Sequence, residues 1–329
     1  MIATFRGAAA LPGVALYTFG AMNTEVRVLV AGSPDDADRA GRLVQTVFQA
    51  YEVNLSRFLP SSALTRLNRD GVLDHPPRLL VRALRRARTW QARLPGWFDP
   101  TVLPALERAG YDRSFETLRA AAEPAAPRGG GDAPPGGEDE DEDVDVDEHV
   151  TLSAGEWLLE AGPRRVRLAP GVRVDLGGIG KGLAVDDALK ALARAGFADV
   201  LVNAGGDMRA CGGPPGLDAW PAAVLHPLLP GRPLREVRLR DAALATSSTL
   251  RRRWVRQGEM RHHLIDPRTG RPAASPWVSV TAWAPDAETA DAAAKAMLIA
   301  GPGGAARVAA LLPEARFLCV RADGGVEEW

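Results

Sequence analysis

Carboxylates, a lysine and two glycine-rich turns lie within one stretch of this chain, VDLGGIGKGLAVDDALKALARAGFADVLVNAGGD at residues 174–207. Asp175 ends a short apolar run, which predicts a strand. The glycine turn after it contains Lys181. Glycines let backbone N–H groups approach a phosphate, and a helix N-terminus adds partial positive charge. The pattern indicates an anion site, although it is neither a GxGxxG motif nor a Lys-Ser/Thr phosphate loop. A glycine-rich strand-to-helix connection is the structural alternative.

Arginine supplies almost all of the positive charge, and the only lysines are Lys181, Lys190 and Lys295. A compact ammonium fits where a planar guanidinium does not, so a lysine in this arginine-rich chain indicates a position that needs the smaller cation. Lys295 follows Asp291 by four residues, so a helix would place both on one face. The pair is either a surface ion pair or a carboxylate that holds a hard cation beside an ammonium. Lys190 fits an ordinary solvated helix position.

Two adjacent histidines, His262 and His263, precede the tight-turn sequence DPRTG at residues 266–270. A histidine in this position could act as a general base near neutral pH. It could equally hydrogen-bond the turn that follows.

Aromatic residues accompany a further carboxylate in the segment GWFDPTVLP, where Asp99 follows Trp97 and Phe98. A free carboxylate beside two aromatic rings suits a flat heterocycle with N–H donors. The alternative for Asp99 is an N-cap or turn residue. Phe58 and Met22 are either core residues or platforms for a ligand.

Composition argues against a nucleic-acid-binding protein, a cysteine metal site and a membrane-spanning protein. Because nine acidic residues fall between Glu138 and Glu148, the rest of the chain is mildly basic although the formal net charge is -1. That balance suits an anionic ligand, and the arginine–aromatic interleaving typical of single-stranded nucleic acid binding is missing. Cys211 and Cys319 lack metal-site spacing. The first residues contain neither a signal-peptide core, nor a membrane span, nor a lipid-anchor cysteine, so we expect a soluble, cytoplasmic protein without an integral membrane segment.

The elements that must position these residues are strands and helices of an α/β fold of the mixed α+β kind. Apolar periodicity predicts strands at residues 24–30, 166–168, 199–203, 222–225, 237–239, 278–283 and 316–321. It predicts helices at residues 35–52, within 54–68, at 78–92, from about 105, and at 183–195, 289–300 and 304–312. We expect a flexible N-terminus at residues 1–16 and one domain at 17–329, which a disordered acidic Pro/Gly-rich insertion interrupts at about 121–149.

Several of these segments together resemble the ApbE family, the FAD:protein FMN transferases. The resemblance rests on the order and spacing of VDLGGIGKG, NAGGD, LATSS, HHLIDPRTGRP and TADAAAKAMLIAG, with MNT, LSRFLPSSALTRLN and GWFDPTVLP in the N-terminal half. It covers roughly residues 17–329 without the acidic insertion. It implies an ApbE-like single domain with a central mixed sheet flanked by helices.

The resemblance also implies a reaction. FAD is cleaved at its pyrophosphate with the help of magnesium, FMN passes to a Ser or Thr hydroxyl of an acceptor flavoprotein, and AMP leaves. His263 would be the base, and the Asp291 carboxylate and the Gly178 carbonyl would hold Mg²⁺. The residues that would contact FAD are Met22, Phe58, Trp97, Phe98, Asp99, Asp175, Lys181 and Ile265.

Three positions depart from the family pattern: Asn23 and Ser248 replace glycines, and Lys295 replaces a threonine that would supply an oxygen ligand. A protonated lysine has no lone pair and cannot ligate magnesium. We therefore expect Lys295 to occupy or border the metal position, so that FAD binds with little or no magnesium requirement. The alternatives to a transferase are a non-catalytic FAD-binding protein of the same fold, which Lys295 favours, and an FAD pyrophosphate hydrolase.

Overall fold

The computed structural model of the chain describes residues 3–4, 11–122 and 156–329. The helices are α1 (Pro34–Leu55), α2 (Ala63–Asp70), α3 (Arg78–Arg93), α4 (Leu103–Arg108), α5 (Phe115–Ala122), α6 (Gly180–Arg194) and α7 (Ala287–Leu311). The strands are β1 (Ala3–Thr4), β2 (Val14–Ala21), β3 (Thr24–Ala31), β4 (Val72–Asp74), β5 (Leu158–Ala161), β6 (Arg165–Leu168), β7 (Val200–Ala204), β8 (Asp207–Cys211), β9 (Trp220–Leu225), β10 (Pro233–Leu239), β11 (Ala242–Ser248), β12 (Arg253–Arg256), β13 (Glu259–His262), β14 (Ile265–Asp266), β15 (Arg271–Pro272), β16 (Trp277–Ala284), β17 (Arg316–Arg321) and β18 (Val326–Glu328).

An eight-stranded sheet forms the centre, in the order β18-β17-β16-β11-β8-β7-β3-β2. The central strands β3 and β7 are largely buried on both faces, and their alternate residues therefore belong to different cores. Val28 and Val202 pack in the large core that includes residues of α1, α6 and α7. Leu29 and Leu201 pack on the other side with Trp220 of the small sheet β1-β9-β10. Helices, main sheet and small sheet thus form three layers.

The predicted α/β fold class is confirmed, but the strand directions differ from the mixed sheet that was expected. Every pair in the main sheet is antiparallel. Tight hairpins account for two of these pairs. Met22 and Asn23 both have positive φ, 51° and 56°, which gives the two-residue turn that joins β2 to β3. Gly205 and Gly206, at 68° and 110°, join β7 to β8 in the same way.

The apolar run before the glycine turn does not form the predicted strand. Its polar groups pair with a side chain and a loop rather than with a neighbouring strand. Asn68 bonds both the N–H and the carbonyl of Val174 at 2.8 Å. The Asp175 N–H donates to the Pro100 carbonyl at 2.7 Å. This run is therefore fixed by residues far away in the sequence.

Helix boundaries agree closely with the predicted periodicity. Ser62 is the N-cap of α2 and accepts a hydrogen bond from the Thr65 N–H at 3.0 Å. The two helices predicted at residues 289–300 and 304–312 form α7, which is interrupted where Gly301 takes a φ of 61° before Pro302. In the described ranges, no helix combines the length and the apolar character needed to cross a bilayer.

The expected segments at residues 1–16 and about 121–149 overlap the described residues only in part. Strand β2 begins at Val14, inside the segment 1–16 that was expected to be flexible. The acidic insertion expected at about 121–149 lies outside the described residues, except that residues 121 and 122 end α5.

Candidate functional site

A cavity of about 380 Å³ lies where the ends of several helices and strands come together. This volume is within the roughly 300–1,000 Å³ typical of small-molecule sites. Its lining comes from the loop after α1, the loop after α3, the start of α6, the β7–β8 turn, the end of β11, the start of β14 and one face of α7. The glycine turn, the histidine segment and the Asp291 face of α7, which the sequence separates widely, therefore meet at one place.

An arginine that the sequence analysis did not single out holds Asp175 at this cavity. The Arg57 Nε lies 2.7 Å from Oδ2 of Asp175, and the Gly177 N–H donates to Oδ1 at 2.8 Å. The guanidinium also packs against the rings of Phe58 and Tyr111, at 4.1 and 4.5 Å from their centroids. Only 6% of the Arg57 side chain is exposed, so this cation–π and ion-pair cluster is well shielded from water.

The second charged cluster joins α6, β8 and α7. The Lys181 ammonium contacts Asp207, and it lies 3.8 Å from Oδ2 of Asp291. The Lys295 ammonium lies 2.8 Å from Oδ1 of Asp291, and the Gly182 N–H donates to Oδ2 at 3.3 Å. Both oxygens of this buried carboxylate are therefore engaged by the protein.

The pKa values of this cluster follow from burial and from the facing charges. Burial lowers the pKa of Lys181 to about 8, although Asp291 opposes the shift. Burial by itself raises the pKa of Asp291, but the ammonium groups of Lys181 and Lys295 outweigh it and hold that pKa below its ordinary value. Asp291 is consequently an ionised carboxylate between two lysines.

Close backbone approach explains why glycines occupy this region. A β-carbon on Gly182 would lie 2.5 Å from the carbonyl oxygen of Ala287, so only glycine lets α6 meet the start of α7 at this distance. A β-carbon on Gly178 would lie 3.1 Å from the ring of Phe98 and 3.7 Å from Cε of Lys295. The glycine turn is thus in contact with both the aromatic segment and the lysine of α7.

His263 enters the cavity from the segment between β13 and β14. Burial lowers its pKa well below 6.5, and the positive charges of Arg252 and Lys295 act in the same direction. Tyr111 meets the imidazole edge-on, with the ring centroids 6.5 Å apart. A neutral imidazole in a cavity at neutral pH is suited to accept a proton from an alcohol or water.

Three side chains that line the same cavity each contain a buried nitrogen without a hydrogen-bond partner among the described residues. Arg57 Nη2, Trp97 Nε1 and His263 Nδ1 are buried and have no hydrogen-bond partner in the part of the chain that the structure describes. Buried polar atoms nearly always have a partner, and three of the exceptions belong to residues that line this one cavity. The lining contains five arginines and lysines against four aspartates, together with several aromatic rings. This balance suits an anion that carries an aromatic group.

Most of the residues predicted from the sequence meet at this cavity. Those that line it are Phe58, Trp97, Phe98, Asp99, Asp175, Gly178, Lys181, His263, Ile265 and Asp291. Asp99 also serves as the N-cap that was its alternative, because its Oδ1 accepts from the N–H and hydroxyl of Thr101 at 2.8 and 2.7 Å.

Met22 is the exception. Its side chain packs against the large core, its N–H donates to Glu52, and the residues of its turn that line the cavity are Asn23 and Thr24. Sequence reasoning also missed Arg57, Tyr111 and Arg252. The run of three arginines at residues 251–253 was the available signal for the last of these.

The comparisons with known proteins identify the family. The sequence model described as the ApbE family matches residues 22–318, so this chain belongs to the ApbE family and the resemblance noted in its motifs is confirmed.

Three relatives carry the name FAD:protein FMN transferase. The protein from Treponema pallidum is 31% identical over 276 residues, covering 78% of this chain and 70% of the relative. The protein from Salmonella typhimurium is 27% identical over 316 residues, covering 94% of this chain and 85% of the relative. The protein from Rhodobacter capsulatus is 32% identical over 250 residues, covering 75% of this chain but only 43% of the relative, so the match spans less than half of that protein.

Solved structures share the fold over nearly the whole chain. The ApbE protein from Thermotoga maritima superimposes with a TM-score of 0.76 at 25% identity, covering 95% of this chain and 96% of its own. The flavin transferase ApbE from Vibrio cholerae gives a TM-score of 0.74 at 23% identity, with 96% of each chain covered. The fold expected from the motifs is therefore confirmed.

Proposed function

We propose that this protein transfers FMN from FAD to a Ser or Thr hydroxyl of an acceptor flavoprotein and releases AMP. The observation that carries the proposal is that His263 lines the same cavity as the glycine turn with Lys181 and the side chains of Arg57 and Trp97. The names of the relatives support the same reaction.

The proposed step exchanges one phosphorus–oxygen bond for another. The acceptor hydroxyl oxygen forms a bond to the phosphorus on the FMN side of the FAD pyrophosphate. The anhydride bond to the AMP phosphate breaks, and AMP leaves with that electron pair. His263 takes the hydroxyl proton as the new bond forms.

We divide the lining of the cavity between the flavin ring and the pyrophosphate of FAD. We assign the aromatic surfaces of Phe58, Trp97 and Phe98 to the flavin ring, with Asp99 as an acceptor for its N–H group. We assign Lys181 to the pyrophosphate, together with the backbone N–H groups at the start of α6. Asp175 and Ile265 complete the lining on either side of these groups.

Magnesium, which the family resemblance implies at Asp291 and Gly178, does not fit these residues. Lys295 and Gly182 take the two oxygens of Asp291, and Lys181 adds a second ammonium at 3.8 Å. In the described ranges, no three His, Cys, Asp or Glu residues are grouped as metal ligands. The proposed step therefore uses the protein's own residues.

We expect FAD to bind more tightly than FMN, by at least about tenfold, or about 1.4 kcal/mol. The reason is that only the dinucleotide brings a pyrophosphate to Lys181 and the glycine turns. Calorimetric titration with each flavin measures the difference. Equal affinities would mean that the cavity holds a mononucleotide.

A further expected result is the pH below which kcat/KM for FAD falls. Because the folded-state pKa of His263 is depressed, the base stays neutral as the pH falls to 6.5 and is lost only below that value. The kcat/KM for FAD should therefore fall on the acid side only below pH 6.5. Arg252→Gln removes one of the charges that depress the pKa, so it should move this limb to higher pH. A native acid limb above pH 6.5 would contradict the assignment.

AMP release separates this function from its alternatives. With FAD alone, a transferase should release little AMP, and addition of an acceptor domain that carries a flavinylation Ser or Thr should start release. An FAD pyrophosphate hydrolase would release AMP at the same rate with and without the acceptor. A non-catalytic FAD-binding protein, which the position of Lys295 favours, would release none in either case.

A further inference from the structure

On α7, the carboxylate of Asp291 contacts a cation that the protein itself supplies, the ammonium group of Lys295. The Lys295 ammonium lies 2.8 Å from Oδ1 of Asp291, and only 17% of the lysine side chain and 3% of the aspartate side chain are exposed. The lysine also borders Gly178 in the glycine turn and lines the cavity. This ion pair is therefore a buried component of the site, unlike an exposed helix pair.

A second positive group at the cavity has no counter-ion. Arg252 lines the cavity in the turn between β11 and β12, and its guanidinium forms no ion pair or hydrogen bond with the residues that the structure describes. Its backbone has a φ of 45°, so the turn that presents it is in the left-handed region. An unpaired, half-buried cation beside Lys295 and Lys181 leaves the site ready for an anion.

A divalent cation would meet unfavourable surroundings here. It would find the Lys295 ammonium 2.8 Å from one Asp291 oxygen and the Lys181 ammonium 3.8 Å from the other, so two positive charges would repel it. Ammonium groups carry no lone pair, so neither lysine can replace the lost ligand. The same arrangement serves a pyrophosphate well, because it offers N–H donors and positive charge directly.

We propose that the Lys295 ammonium, oriented by Asp291 and assisted by Arg252, takes the place of a divalent cation against the FAD pyrophosphate, so that FAD binding and FMN transfer need no divalent metal. This inference rests on the proposed function, because it concerns the same substrate and the same cavity. Lys295 then acts as a binding residue that neutralises phosphate charge while the anhydride bond breaks.

The test compares the full chain with three lysine variants. Lys295→Thr removes the charge and restores a hydroxyl oxygen on the same helix face, Lys295→Met removes the charge without restoring a ligand, and Lys190→Thr is the matched control. Lys190 is 59% exposed and pairs with Asp187 at 3.3 Å, away from the cavity lining, so its loss should not affect the site. The measurement is the Kd for FAD by calorimetry, with chelator and with millimolar Mg²⁺, after circular dichroism has confirmed folding.

The native protein and Lys190→Thr should bind FAD with the same Kd, within about twofold, in chelator and in Mg²⁺. Lys295→Thr should bind about tenfold or more weakly in chelator, about 1.4 kcal/mol, and Mg²⁺ should restore most of that loss. Lys295→Met should show the loss without the recovery. A native Kd that improves tenfold or more with Mg²⁺ would overturn the inference and leave the proposed function standing, whether or not the variants fold. Absence of FAD binding under both conditions would overturn both.

Discussion

Replacing His263 by alanine is expected to slow FMN transfer by about 10²–10⁴-fold, the usual effect of losing a general base. The affinity for FAD should change little, because the assigned phosphate and flavin contacts come from other residues of the cavity. Steady-state transfer to an acceptor domain, with FAD affinity measured in parallel, gives both quantities.

A matched histidine elsewhere in the chain supplies the control. His226 lies in the turn between β9 and β10, where its ring accepts a hydrogen bond from the Leu228 N–H at 3.1 Å. His226→Ala should transfer FMN at the native rate. If His263→Ala also kept the native rate, the imidazole would only support the turn that follows it, and the proposed base would have to be another group.

Replacing Asp291 by asparagine is expected to lower the free energy of unfolding by about 3–5 kcal/mol, the cost of breaking a buried ion pair by removing one partner. The reason is that Lys181 and Lys295, both largely shielded from water, would lose the carboxylate they share. Urea unfolding followed by circular dichroism gives the difference.

The control uses a pair with the same spacing at the surface. Asp38 and Arg42 are also four residues apart in a helix, at 3.4 Å, but their side chains are 59% and 73% exposed. Asp38→Asn should therefore change the unfolding free energy by no more than about 0.5 kcal/mol. If Asp291→Asn were as mild as this control, the Asp291 cluster would be solvated in solution rather than buried.

Local sequence patterns predicted much of the scaffold, because the helices form from contacts between near neighbours. The apolar spacing of α1 and α6 is an example. The strand predicted before the glycine turn was wrong, because its partner groups belong to Asn68, 106 residues earlier. The expected mixed sheet was also wrong, since the turn at Met22 and Asn23 fixes an antiparallel hairpin that composition alone does not reveal.

For the site, the sequence predicted only contacts within a single motif or helix. The spacing of Asp291 and Lys295 placed them on one helix face, and the structure pairs them at 2.8 Å. Nothing local indicated that Lys181 would contact Asp207 while facing Asp291, or that Arg57 would hold Asp175. Those contacts depend on how α6, β8, α7 and the loop after α1 come together. They are therefore properties of the folded chain rather than of any single motif.

The most direct test of the proposed transferase is the intact mass of an acceptor. The full chain is incubated with FAD and a flavoprotein domain that carries a flavinylation Ser or Thr, in parallel with the same domain in which that residue is alanine. The proposal predicts that only the native acceptor gains the mass of one FMN less one water, with an equal amount of AMP released. An acceptor of unchanged mass, in a sample where FAD is shown to be bound, would contradict it.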